Sequence, residues 1–316
     1  MTLLPRSIAW MLALLGADAV FAQHYPNKPV RIITGEAGGV TELGARIIAP
    51  ALSNILGQPV IIENRTSVVS IEHVSRAVPD GYTILMGPNS IWIDPLLRKS
   101  SWDPVRDFSP ISHISSSPNI FVVHPSLPAN SVAELIQLAK ARPGTLNYGS
   151  SGSGTSTHLA GELLKYMAGV DIARIPYKGG AANMIALLSN EVQLSFSTAG
   201  TVTPYLKSGK LRALAVASAL PSALVPGLPT VAASGLPGFE SASISGMLAP
   251  AKTPATIIRR LSQEIAQLVN KPEVKEQFLK AGVEAVGSSP AQLAATMKAE
   301  IARWGPVINA AGIRAE

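Results

Sequence analysis

The run KPVRIITGEAGGVTELGARIIAPALSNILGQPVIIE, Lys28 to Glu63, decides the fold class. Val30-Arg31-Ile32-Ile33 is a short β-branched stretch that reads as a strand, and Ala37-Gly38-Gly39 is a turn. From Thr41 the apolar residues Leu43, Ile47, Ile48, Ala51, Leu52 and Ile55 recur at helical spacing, with Gly57 as a stop. Pro59 to Glu63 is then a second strand. Strand, helix and strand in this order form the repeating unit of a parallel sheet with helices on its faces.

Outward from this unit the alternation continues. A short helix over Ser70–Ala77 leads through the turn Pro79-Asp80-Gly81 to a strand over Tyr82–Met86. After Asp107 the pattern restarts, with strands at 120–123, 146–148, 172–175, 193–197 and 211–217. Helices fall between them at 131–141, 159–167, 181–189 and 201–207, the first opened by a capping box of Ser131 and Glu134. The tail is helical over 254–269, 272–281 and 290–310, and its apolar faces are expected to pack back onto the first half of the chain. The fold class is therefore α/β, with two Rossmann-like lobes, mostly parallel sheets and a cleft between them.

At 316 residues with 47% hydrophobic and 15% charged, the chain can bury a sizeable core. Arg6, the apolar run Ile8–Leu15 and the small residues of Val20-Phe21-Ala22 read as a cleaved signal peptide over 1–22. The mature chain then begins near Gln23, in a periplasmic setting. The chain has no cysteine, which excludes structural disulfides and thiolate metal sites. Its net charge of +6 is spread among isolated residues such as Arg31, Lys99, Arg174 and Lys271. A nucleic-acid footprint requires clustering, so nucleic acid is not an expected partner. No later run approaches the roughly 18 apolar residues of a membrane span, so the protein is not expected to be membrane-inserted.

Two loops could carry chemistry. Ala37-Gly38-Gly39-Val40-Thr41 and Ser150-Ser151-Gly152-Ser153-Gly154-Thr155-Ser156 each join a strand to a helix. Each sets backbone N–H groups and hydroxyls at a helix N-terminus, where an anion is favoured. Such loops also occur as plain βα turns, so neither is decisive alone. Enzymatic readings find less support. Gly149-Ser150-Ser151-Gly152-Ser153 misses the last glycine of a nucleophile elbow, and there is no P-loop or complete dinucleotide fingerprint. His24, His73, His113, His124 and His158 have no partners at metal-ligand spacing, so no metal and no cofactor are expected. His158 reads equally as a ligand contact or a structural histidine.

A set of phrases runs along the chain: YPNKPVRII from Tyr25, Gly38-Gly39 with Ala45-Arg46, LGQPV from Leu56, ENR from Glu63 and PDGYTIL from Pro79. It continues with DFSPI from Asp107, YGSSGSGTSTHLAGE from Tyr148, IPYKG from Ile175, GKLRALA from Gly209, GLPGFE from Gly235 and LAPAKTP from Leu248. In this order they resemble the tripartite tricarboxylate transporter substrate-binding proteins, the Bug or TctC-type receptors. The resemblance implies two lobes joined by two crossing strands, here near Val122 and Ala217. Residues 23–122 and 218–316 make the first lobe and 123–217 the second. It implies a carboxylated ligand held by backbone N–H groups, hydroxyls and water. Those roles carry over to Gly38, Gly39, Thr41 and Glu42 in the first lobe, with Glu42 replacing the usual aspartate. In the second they carry over to Ser151, Gly152, Thr155, Ser156 and His158, with Ser90 and Thr198 lining the cleft.

Departures bear on the ligand. Gly35-Glu36 stands where an aromatic residue usually precedes the paired glycines, the stretch after Arg65 is shorter and less glycine-rich, and Ile244 stands where a tryptophan often occurs. Glu36 repels a carboxylate or pairs with an amine, which makes it the candidate specificity residue. The expected function is capture of a small organic acid or amino acid for membrane permease subunits, by a monomer without enzymatic activity. The alternative is a divergent, ligand-poor periplasmic sensor or partner-binding subunit of a signalling system, with a sensor kinase as partner.

Overall fold

The computed structural model describes residues 25–35, 40–152 and 154–314. The signal-peptide expectation and Glu36, Gly38 and Gly39 lie outside the described residues.

The first unit forms as the apolar pattern requires. Strand β1 (Val30–Thr34) buries Val30, Ile32, Ile33 and Thr34 and leaves Arg31 exposed. Helix α1 (Val40–Leu56) buries Ala45, Ile48, Leu52 and Leu56, one stripe of its surface. It lies close over the sheet at Gly44, where a β-carbon would come within 2.7 Å of the Met86 side chain. Gly57, at φ 66°, ends the helix in the left-handed conformation that glycine adopts without strain. Strand β2 (Val60–Asn64), helix α2 (Ser67–Ser75), strand β3 (Thr83–Pro88) and helix α3 (Ser90–Leu97) follow. β1 pairs in parallel with both β2 and β3.

Strand β4 (Phe108–Val123) is the longest. Beyond it lie α4 (Val132–Ala141), β5 (Asn147–Ser151), α5 (Ser156–Ala168), β6 (Ala173–Tyr177), α6 (Gly180–Leu188), β7 (Leu194–Thr198), α7 (Ala199–Lys207) and β8 (Arg212–Val216). The chain returns through β9 (Ala242–Pro250), then α8 (Ala255–Val269), α9 (Pro272–Lys280), the two-residue β10 (Glu284–Ala285) and α10 (Pro290–Ala310). The strands run in the order β2-β1-β3-β9-β4-β7-β5-β6, with β8 and β10 also on β4.

The sheet is mixed rather than mostly parallel. β5 is parallel to β6 and β7, but β9 runs antiparallel to β3 and β4, and β4 is antiparallel to β7 and β8. The reason is geometric: the chain leaves the first half along β4 and comes back along β9, so the two must point in opposite directions. β4 serves both halves, pairing with β9 over Phe108–Pro118 and with β7 from Asn119 onward. The change of partner thus falls earlier in the strand than Val122.

Side chains on β4 alternate between cores. Phe121 and Val123 join a cluster with Trp92, Tyr148, Phe196 and Trp304, whereas Ile120 and Val122 join Met184, Leu187, Val202 and Val216. A third cluster, with Ile48, Leu52, Ile84, Ile265 and Phe278, lies beneath α1, α8 and α9. The tail packs as expected: α8 lies against β4 and α1, and α10 against β4 and α3, while α10 also touches α5. The Ser131 cap forms, accepting from the Glu134 N–H at 3.1 Å. The Glu134 carboxylate, however, turns to the N–H of Asn130, whereas a complete capping box opens α10 at Ser289 and Gln292.

Phe121 is fully buried and stacks on Phe196 at 4.3 Å between ring centroids. Phe121→Ala is expected to lower unfolding stability by about 3–5 kcal/mol, measured by urea denaturation with an unchanged slope. A loss below about 1 kcal/mol would show that the junction of the two halves is not tightly packed.

Candidate functional site

Candidate residues collect at the carboxyl ends of β1, β3, β5 and β7. This is where an open α/β sheet leaves a crevice, because the helices that follow diverge to opposite faces. The second-half loop is the best described. β5 ends at Ser151 and α5 starts at Ser156, capped by Thr155, whose Oγ1 accepts the His158 N–H at 3.4 Å. The Thr155 hydroxyl also lies 2.9 Å from the carbonyls of both Ser151 and Gly152. Ser151 Oγ and Thr157 Oγ1 are 2.8 Å apart, and Thr155 Oγ1 is 3.0 Å from Thr157 Oγ1. The loop is thus a knot of hydroxyls drawn around one helix N-terminus.

His158 sits beneath this knot. It is 2% exposed, and its Nδ1 accepts the Gly154 N–H at 3.0 Å. Burial first, then the charges of Arg174 and Lys165, push its pKa down to about 3. At neutral pH the ring is therefore uncharged with its proton on Nε2, as the bond to Nδ1 requires. Through this bond His158 braces the loop at Gly154. Gly154 itself has φ 76°, and a β-carbon there would come within 2.4 Å of Leu97 in α3. This close approach brings the loop against the first half of the chain.

Ser156 reaches the junction. Its Oγ lies 3.4 Å from Asn119 Oδ1, Asn119 Nδ2 donates to Ser241 Oγ at 3.0 Å, and Ser241 Oγ donates to the Ser156 carbonyl at 3.2 Å. Asn119 and Ser241 are wholly buried. Thr198 stands opposite Asn119 in register and immediately precedes α7, with its hydroxyl 2.9 Å from that of Thr201. Ser90 opens α3 beside Asn89, whose amide reaches the Ala242 carbonyl at 3.3 Å. Thr41 and Glu42 are buried in the first turn of α1, where Glu42 pairs with Arg46. Gly152, Thr155 and Ser156 thus share one hydrogen-bonded loop with Ser151 and His158. Thr198 joins them through Asn119, and Ser90 lies beside the strand that returns through Ser241.

Sequence reasoning missed Asn119, Thr157, Ser241 and Arg174. Asn119 and Ser241 lie outside the strands that local pattern marks, and only the folded chain buries them. Arg174 lies on β6 and donates from Nε to the buried Ser150 Oγ at 2.9 Å, placing a positive charge beneath the loop. Among the described residues no group of three or more His, Cys, Asp or Glu could hold a metal ion. No described helix is long and apolar enough to cross a membrane.

Residues 44–313 match the family described as the tripartite tricarboxylate transporter family receptor. The chain belongs to that family. It is a family of receptors, not of enzymes. Protein BugT of Bordetella pertussis is 32% identical over 322 residues, covering 99% of each chain. Among solved structures, R. palustris Rpa4515 with adipate is similar at a TM-score of 0.78 and 36% identity, covering 92% of this chain and all of the other. MatC from Rhodopseudomonas palustris with bound malate has a TM-score of 0.74 and 26% identity, covering 90% of this chain and 100% of that one.

The buried histidine makes the receptor fold acid-sensitive. Its folded-state pKa of about 3 lies below its ordinary 6.5, so the unfolded chain binds more protons between those values. The stability due to neutral His158 is complete above about pH 6.5 and is lost as pH falls toward 3. His158→Asn retains an acceptor near Nδ1 without the titration. Melting temperatures measured from pH 7 downward should therefore fall less steeply in the variant. Parallel curves would exclude this origin of the pH dependence.

Proposed function

We propose that the chain is an exported periplasmic receptor that captures a small carboxylate between two lobes and delivers it to the membrane subunits of a tripartite transporter. The lobes are residues 23–122 with 218–316, and residues 123–217, and the receptor works as a monomer. The observation that carries the carboxylate reading is the second loop. There the N-terminus of the 13-residue α5, the hydroxyls of Ser151, Thr155 and Thr157, and the nearby Arg174 combine to favour an anion. Family membership and the carboxylates held by Rpa4515 and MatC support the same reading.

A carboxylate at the loop accepts from first-turn N–H groups that have no intrahelical partner. Its second acid group, or an amine, then faces the first lobe at Gly38, Gly39 and Thr41, with Ser90 and Thr198 along the walls. Glu36 separates the two ligand types: it opposes a second carboxylate and favours a cation, so amino acids belong with dicarboxylates among the candidates. Closure bends the two crossing segments, a hinge motion that buries the ligand.

Calorimetry on residues 23–316 with adipate, malate and glutamate tests the reading. One-to-one binding of at least one is expected, weakened about tenfold or more by joint Ser151→Ala and Thr155→Ala substitution. Glu36→Ala should strengthen a dicarboxylate and weaken an amino acid. A properly folded protein that binds none of a broad carboxylate panel would instead favour the sensor subunit.

A further inference from the structure

The last helix carries a carboxylate that ligand contact does not explain. Glu300, midway along α10, is 3% exposed. Its Oε2 accepts Trp92 Nε1 at 2.8 Å and Asn89 Nδ2 at 3.3 Å, and its Oε1 accepts Trp304 Nε1 at 3.4 Å. Among the described residues no lysine or arginine lies within ion-pair distance of it; Arg303, in the same stretch of helix, pairs with Glu240. Burial raises the Glu300 pKa, and its three N–H donors oppose the rise.

Packing alone does not call for such a group. A carboxylate buried without a cation is costly, and apolar residues of similar volume often stabilise as well or better. What the carboxylate supplies is convergence, because three donors from two elements must meet at one point. Asn89 is shared: the amide that donates to Glu300 also reaches the Ala242 carbonyl. Nearby on α10, Arg303 donates to the Glu240 carbonyl at 3.3 Å. Between those two residues stands Ser241, bonded to Asn119 and to Ser156 of the second loop. One stretch of α10 therefore grips the start of α3, which bears Ser90, and the strand returning between the halves.

We propose that Glu300 is a positioning residue for ligand capture: by holding Asn89 it fixes Ser90 and the returning strand in the arrangement from which the two lobes close. The proposal rests on the carboxylate-receptor reading above. Of the three tryptophans after residue 22, Trp92, Trp102 and Trp304, two donate directly to this carboxylate, so indole emission reports on it.

The test compares residues 23–316 of the wild type with Glu300→Gln, which sets an amide NH2 against three N–H donors. Tyr25→Phe, which removes a buried hydroxyl bonded to the Gly81 carbonyl at 2.7 Å, serves as a destabilised control. In the unliganded Glu300→Gln protein, hydrogen exchange should accelerate at residues 90–93 and 240–244. Its affinity for adipate or malate should fall about tenfold or more, and the ligand-induced change in tryptophan emission should disappear. The control should keep both affinity and emission change. Wild-type affinity together with an intact emission change in Glu300→Gln overturns the proposal. If the wild type binds no carboxylate, the receptor reading fails and overturns the role in ligand capture with it; exchange then tells that failure apart from a failure of the Glu300–Asn89 hold, which would leave both segments unchanged. Should Glu300→Gln fail to fold, Asn89→Ala removes the shared amide and keeps both indole bonds. The same losses are expected from it, and wild-type behaviour counts against the proposal.

Discussion

Strand β4 has one partner set along most of its length and another at its end, and the rest of the molecule is arranged around that fact. Over Phe108–Pro118 it lies beside β9, and over Asn119–Val123 beside β7 and β8. The first and second halves therefore meet on one continuous strand, at the change of partner between Pro118 and Asn119. The return along β9 must be antiparallel, which sets the strand order. Parallel units are left outside it on both sides, with the carboxyl ends of β3 and β7 near the junction. The candidate ligand residues inherit their positions from this single crossing.

The junction is polar as well as apolar, and the two components do different work. Phe121, Phe196 and Phe239 stack through it and supply burial without direction. Asn119, Ser241, Ser156 and Asn89 supply direction, because each bond has one partner and one angle. Serines lie buried along β4 and β9 at Ser112, Ser115, Ser117 and Ser245, where small side chains allow α10 and the neighbouring strands to approach. With no cysteine in the chain, no disulfide ties the halves together. Their relative placement depends on backbone pairing and on these few polar contacts.

The two candidate loops differ in how their chemistry is held. In the second, the hydroxyls of Ser151, Thr155 and Thr157 are mutually bonded and His158 braces Gly154 from below. Such a loop is organised before any ligand arrives, which lowers the entropy lost on binding. In the first, the described residues Thr41 and Glu42 are buried in a helix turn, and Glu42 is engaged with Arg46.

By itself the sequence determined the α/β alternation, the helical tail and the serine-bearing turn between β5 and α5. Those features depend on local pattern: β-branched runs such as Val30–Ile33, apolar stripes such as that of α1, and cap residues such as Ser131. It did not reveal β9, most of β4 or α3. Ser-His-Ile-Ser-Ser-Ser-Pro-Asn and Ala-Ser-Ile-Ser-Gly-Met have weak β propensity and give no strand signal of their own; they become strands by pairing with each other, with β3 on the far side of β9. The mixed sheet, the burial of His158, the Asn119–Ser241–Ser156 bridge and the grip of Glu300 on Asn89 were likewise decided by tertiary structure. Each joins residues far apart in the chain or turns on burial, and neither spacing nor composition encodes such a meeting.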